Sequence, residues 1–241
     1  MRKSISLFTL ILLSVSAFSQ VTKKTLELAE FKSIYNNSSY TVYLKQTNKQ
    51  EVNVEALTEI YELTTFSVEN GILLINVERK PDNPNKSVWA KIDDIKLNAT
   101  QKVYISVKNL AELQVNGSGK IVSENSLAAG SLALSIGGSG SMDLDIKGDQ
   151  LKVEVSGSGK LALRGYATAC DAILSGSGNL TAFDCPLETA KVKISGSGSA
   201  EINVTTTLDA FVAGSGSVKH KGNTKNTAKK VFGSGSVERA Y

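Results

Sequence analysis

From about residue 111 onward, apolar and polar positions alternate in short runs, and each run ends on the same triplet, Gly-Ser-Gly. The triplets open at Gly117, Gly138, Gly157, Gly176, Gly196, Gly214 and Gly233, in steps of 21, 19, 19, 20, 18 and 19 residues. Two residues before each triplet stand Val115, Ile136, Val155, Leu174, Ile194, Val212 and Val231. Four before stand Leu113, Leu134, Val153, Ala172, Val192, Ala210 and Lys229, and six before stand Ala111, Leu132, Leu151, Cys170, Ala190, Leu208 and Thr227. After the triplet comes a second alternating run, with Ile121, Met142, Leu161, Leu180, Ala200, Val218 and Val237 in one column and Leu144, Leu163, Ala182 and Ile202 in the next. Period-2 alternation predicts strands with one buried face. A unit of about twenty residues cannot cover that face alone, so repetition implies stacking on neighbours.

The predicted unit is strand, glycine turn, strand, loop, and the predicted fold is all-β: a parallel β-helix of about seven GSG-cornered coils over residues 113–241. Coils stacked at the interstrand spacing of roughly 4.8 Å would align the triplets into a ladder about 30 Å long. Glycine supplies the unusual backbone of a sharp corner, and the serine hydroxyl is expected to satisfy neighbouring backbone groups. Residues 20–112 read as a less regular β-rich cap, with a separate small β-domain as the alternative. Strands are expected at Tyr40–Leu44, Val52–Ala56, Phe66–Val68, Ile72–Val77 and Val103–Val107, a hairpin turn at Asn70-Gly71, a short helix within Leu57–Leu63 and a loop at Pro81–Pro84.

Residues 1–19 form a different kind of segment. Arg2 and Lys3 precede an apolar run from Ile5 to Val15, and Ala17 and Ser19 stand before a cut ahead of Gln20. This is the pattern of a secretory signal peptide, implying export to the periplasm, cell surface or exterior. The run is short for a membrane span, and no later stretch is long enough for one. Removing two of the 27 basic residues leaves 25 against 23 acidic ones, a net charge near +2 that gives no reason to expect nucleic acid as a partner.

The prelude FKSIYNNSSYTVYLKQ (31–46), VNVEALTEI (52–60), ENGILLINV (69–77) and VYISVKNLAELQVNGSGK (103–120), followed by coils ending in GSGSVKHKGN (214–223), resembles the head GIN domain family of Bacteroidetes-like bacteria. The resemblance implies a secreted, β-helical envelope protein with an adhesin role, and it carries no ligand or catalytic residue.

Residues that could support chemistry are few. His220 is the sole histidine and falls in the inward column of Leu144. Asp143, Asp145, Glu154 and Glu201 alternate with Lys152, Lys191 and Lys193 as a solvated charged face. The calcium pattern GGxGxD is approached at Gly137–Met142, with Met142 where Asp is needed. Trp89 is expected to be a core or cap residue before a sugar platform; Tyr35, Tyr40, Tyr43, Tyr61 and Tyr104 fall in the prelude, and Phe183 and Phe211 are expected to point outward. Cys170 stands in an inward column and Cys185 in the loop before Pro186, fifteen residues apart; they are either bridged, or Cys170 is a small core residue.

No catalytic, cofactor-binding or metal residue is therefore expected, nor any cofactor. The function expected is non-catalytic: an exported cell-envelope protein acting as an adhesin or as a surface or glycan interaction scaffold, with an unknown envelope protein or polysaccharide as partner. A carbohydrate-active β-helix enzyme, lyase or hydrolase, is the alternative.

Overall fold

The structure is a computed structural model and describes residues 21–78 and 100–240. The expected signal peptide at 1–19, the expected loop at Pro81–Pro84, and Trp89 lie outside the described residues.

The repeat region is a parallel β-solenoid. Its coils begin with β8 (Glu112–Gly117) and β9 (Lys120–Ser123), and continue as β10 (Leu127–Gly138), β11 (Ser141–Gly157), β12 (Lys160–Gly176), β13 (Asn179–Gly196) and β14 (Ser199–Gly214). They close with β15 (Ser217–Lys221), β16 (Asn226–Phe232) and β17 (Ser236–Arg239). Every pairing among them is parallel, and the leg before each triplet keeps the triplets' phase: Val115 pairs with Ile136, which pairs with Val155, and Leu174 with Ile194; the register shifts between Ala162 and Arg164 and around Pro186, where coil lengths differ.

The inward columns are buried as expected, from Leu113 and Val115 to Ala210 and Val212. Other expectations fail, among them the inward column at Val231, which is 40% exposed at the end of the stack. Ala111 is exposed, because the ladder begins only at Glu112. The second strand and the next first strand are not separated by a loop; β11, β12, β13 and β14 each run unbroken from one triplet to the next. Chain bends such as that at Gly165, with φ of 98°, are accommodated within the ladder.

The triplet works through its backbone. From the second triplet to the sixth the Ser N–H donates to the carbonyl of an earlier coil's first glycine, as Ser177 does to Gly157 at 2.8 Å and Ser215 to Gly196 at 2.9 Å, and at the last triplet the Gly235 N–H takes that place on Gly214 at 3.0 Å. The residue after the triplet likewise reaches the earlier third position, as Asn179 N–H does to Gly159 at 3.0 Å. All seven serine side chains, Ser118 through Ser234, are exposed. The expected role of these hydroxyls toward neighbouring backbone is thereby corrected: they face outward, and the amides make the corner.

The two glycines do different jobs. The first has positive φ, 125° at Gly196, a region costly for a residue with Cβ. The second is buried in every triplet but the last, where Gly235 is half-buried, and a Cβ there would strike the coil below. On Gly140, Gly159, Gly178, Gly216 and Gly235 it would fall under 3.0 Å from a branch methyl of Val115, Ile136, Val155, Ile194 and Val212 respectively. Thus the β-branched residue two places before one triplet occupies the space left by the second glycine of the next. At Gly198 the residue below is the γ-branched Leu174, and the obstacle there is instead the Gly178 carbonyl oxygen at 2.6 Å.

The N-terminal end is β-rich, as expected, but is threaded out of sequence order. β2 (Ser33–Asn37) lies between β6 (Ile72–Val77) and β8, and β3 (Thr41–Gln46) between β7 (Gln101–Val107) and β9, all in parallel. The first coil of the chain is therefore the second of the stack.

Antiparallel strands finish this end: β4 (Glu51–Leu57) on β7, β1 (Val21–Leu26) on β4, and β5 (Thr64–Glu69) on β6. The β5–β6 hairpin turns at Asn70 and Gly71 with φ of 51° and 77°, the double positive φ of a type I′ turn. Between β4 and β5 the short helix α1 (Thr58–Glu62) places Ile60 in the core, where Tyr40, Phe66 and Tyr61 also pack. One continuous apolar cluster extends from Phe31 to Val218.

Candidate functional site

The acidic residues do not converge. Asp143 pairs with Arg164 at 2.5 Å, and Asp145 accepts a hydrogen bond from the Ser126 hydroxyl at 2.7 Å. Glu154 lies on the other leg of the same long strand, and Glu201 is three coils from Asp143 along its ladder. Met142 is buried, so the position where the calcium pattern needs Asp faces the core. Among the described residues, no three His, Cys, Asp or Glu side chains form a group able to hold a metal ion.

His220 occupies the expected inward column, above Ile202 and beneath Arg239. Neither ring nitrogen has a hydrogen-bond partner among the described residues. Its pKa is lowered, first by burial and then by the charges of Lys229 and Arg239. A neutral imidazole with no oriented carboxylate or hydroxyl is poorly equipped for base catalysis.

Cys170 and Cys185 are both free and buried. Burial pushes their thiols up to about 12 and about 11, so neither is a thiolate nucleophile at neutral pH.

The prelude tyrosines are engaged in the fold. Tyr40 is fully buried, and Tyr35 donates to Glu112 Oε2 at 2.9 Å. Tyr61 stacks on Phe66 with centroids 6.3 Å apart. Tyr43 and Tyr104 stack at 5.1 Å with 15° between planes, so their faces are turned on one another rather than laid flat for a sugar.

Two open depressions lie at the N-terminal end, about 650 Å³ beside Leu26 and Lys49 and about 430 Å³ beside Phe31 and Asn70. Oppositely charged groups already pair at their rims, Lys49 with Glu51 at 3.2 Å and Lys108 with Glu30 at 3.1 Å.

What remains is surface, and the ladder orders it. Outward positions on the leg before the triplet form straight columns, because each coil stands in register on the last. One column reads Gln114, Ser135, Glu154, Ile173, Lys193, Phe211, Lys230. Beside it runs Glu112, Ala133, Lys152, Asp171, Lys191, Asp209, Ala228.

Phe211 lies under the Lys193 ammonium at 5.8 Å and beside Phe232, whose ring centroid is 5.6 Å away and which is 62% exposed. On the other leg Phe183 is covered similarly by Lys221 at 5.0 Å. The outward placement of Phe211 was legible in the alternation. Phe232 was missed, because its exposure follows from being at the end of the stack.

A crystal structure described as a putative adhesin from Bacteroides fragilis is 21% identical, covers 92% of this chain and 98% of its own, and superposes with a TM-score of 0.78. One described as a putative adhesin from Parabacteroides distasonis matches at 20% identity with the same two coverages and a TM-score of 0.71. A third, described as a putative lipid binding protein from the same species, matches at 22% identity, covering 92% and 97%, with a TM-score of 0.70. At this identity the likeness establishes the fold. No similar sequence was found among curated proteins. The family model described as "Putative auto-transporter adhesin, head GIN domain" matches residues 30–224, and the chain belongs to that family.

Proposed function

We propose that this protein is a non-catalytic, exported cell-envelope adhesin, a rigid scaffold whose flat ladder faces meet a glycan or another envelope component. The observation that carries the reading is the contrast between dispersed reactive groups and aligned surface columns. Acids are paired or far apart, the histidine and both thiols are buried, and the outward residues repeat coil by coil. The adhesin descriptions of the family and of its fold relatives support the same reading. No helix among the described residues is long and apolar enough to cross a membrane. Residues 1–19 act as the export signal in this reading, with 20–112 the irregular opening and 113–241 the repeat solenoid of one head GIN unit.

The test is to express the full chain in an exporting bacterial host, fractionate the cells, and sequence the N-terminus of the recovered protein. Its binding to whole cells and to isolated envelope polysaccharide is then measured. Envelope localisation, an N-terminus at Gln20 and saturable binding without change in polymer length are expected. Shortened polysaccharide or new unsaturated ends would replace this reading by a carbohydrate-active enzyme; a cytoplasmic, unprocessed chain would remove export.

A further inference from the structure

The column from Ile173 to Lys230 alternates an apolar side chain with a cation: Ile173, Lys193, Phe211, Lys230. Its members are one interstrand step of about 4.8 Å apart, so like chemistry recurs at about 9.6 Å. Ile173 is 37% exposed, and Lys193 and Lys230 are exposed. Neither lysine forms a salt bridge with a described residue. Phe232 extends the apolar element sideways from Phe211.

Flexible ammonium groups on either side of an aromatic ring match a saccharide whose CH face rests on the ring while carboxylates of adjacent units reach the lysines. One pyranose unit is about as long as one interstrand step. The chemistry that fits is therefore a linear chain in which neutral and acidic sugars alternate.

We infer that this column is a binding track for an acidic polysaccharide built from alternating neutral and uronate residues, lying along the solenoid axis. Neutral units rest on Ile173 and on Phe211, from whose face the Lys193 ammonium, 5.8 Å from the ring centroid, swings to the adjacent uronate, and the next uronate pairs with Lys230. The track is bounded by Glu154, which precedes Ile173 in the column and repels a carboxylate. In the neighbouring column Asp171 and Asp209 stand beside the apolar members Ile173 and Phe211, while Lys191 between them stands beside Lys193 and adds a second cation at the uronate position. A fully acidic polymer would put a carboxylate over Phe211 and beside Asp209, and a neutral one would leave both lysines solvated.

The inference rests on the adhesion reading and names its ligand class, so the test separates the two. Hyaluronan oligomers, an alternating uronate and N-acetylhexosamine chain, serve as probe by calorimetry on the exported protein. Polygalacturonate, dextran and vesicles of phosphatidylglycerol with phosphatidylcholine serve as comparisons. Hyaluronan should bind best, and more weakly as salt rises. Lys193→Gln and Lys230→Gln should each weaken it about tenfold, as loss of a charge-assisted contact does. Phe211→Leu should weaken it without changing the salt dependence, with circular dichroism confirming that each variant is folded.

Absence of hyaluronan binding, equal binding of polygalacturonate, preference for the vesicles, or indifference to both lysine substitutions would overturn the track. If the triple variant still adheres to whole cells as the parent does, the adhesion reading survives and this site does not. If the parent adheres to nothing, both fall.

Discussion

The buried second glycine of each triplet and the β-branched residue of the coil below define a coupling that a mutant cycle can measure. Gly178→Ala places a methyl under 3.0 Å from Val155 Cγ1 and 3.1 Å from the Gly159 carbonyl oxygen. Overpacking of this kind costs about 1–3 kcal/mol. Restricting the unfolded chain returns about 0.4–1 kcal/mol. Gly178 lacks the positive φ of the first glycine, so the collision is the main cost.

Val155→Ala alone removes fully buried methyls and leaves a cavity that the stacked backbone cannot close, costing on the order of 1–3 kcal/mol. Combined, the added methyl enters the space that Cγ1 vacates. The pair should be less destabilised than the sum by about 1–2 kcal/mol, within the range for residues in contact. Urea unfolding of the four proteins gives the coupling directly.

Gly198→Ala is the control. Its methyl meets the Gly178 carbonyl oxygen at 2.6 Å, and Leu174→Ala cannot relieve a backbone collision. Ser177→Ala, at an exposed side chain, should shift the midpoint by less than about 0.5 kcal/mol. Coupling near zero for Gly178 with Val155, or equal rescue at Gly198, would refute the interlock.

Two further outcomes concern the C-terminal end. His220 is held neutral in the folded chain, with its pKa below the ordinary 6.5. The unfolded chain therefore takes up its proton first as pH falls: the stability present above 6.5 is lost as pH drops through the folded value. His220→Leu should remove that part of the acid slope and raise the unfolding free energy measured in urea by about 1–3 kcal/mol, by abolishing the unpartnered nitrogens; parallel acid limbs in parent and variant would contradict this. Deleting residues 225–241 should uncover Leu208, Ala210, Val212 and Val218 and increase self-association in light scattering, with far-UV circular dichroism largely retained. A deletion variant that stays monomeric would show that this end guards nothing.

That last expectation also shows where the sequence was informative and where it stopped. The decay of the inward columns to Lys229 and Arg239 is visible in the repeat alignment as a departure from Ala210 and Ile202. What those cations do is visible only in three dimensions: Lys229 Nζ donates to the Val237 carbonyl at 3.1 Å and Arg239 Nη2 to the Gly222 carbonyl at 3.2 Å. A position that is inward by period becomes a lid when no coil follows it, because its long stem can turn across the open end while its charge reaches exposed carbonyls.

The same logic governs the opposite end. Period-2 alternation identified β3 and β6 from Tyr40–Leu44 and Ile72–Val77, because their inward faces are apolar in either pairing direction. It left β1 unassigned, since Val21–Leu26 carries Lys23 and Lys24 on a half-exposed edge, and β2, whose inward set includes the buried amide of Asn36. That amide donates to the Tyr40 carbonyl at 2.8 Å and its oxygen accepts from Ser38 Oγ at 2.5 Å, so a polar side chain closes the corner that glycine makes elsewhere. The β2–β3 corner thus has its own chemistry, and neither period nor triplet could reveal that this coil slides between β6–β7 and β8–β9. Alternation fixes which face of a strand is inward, whereas the neighbour on each edge is chosen by long-range fit. Only where successive triplets impose one register, from Gly117 onward, do the two coincide.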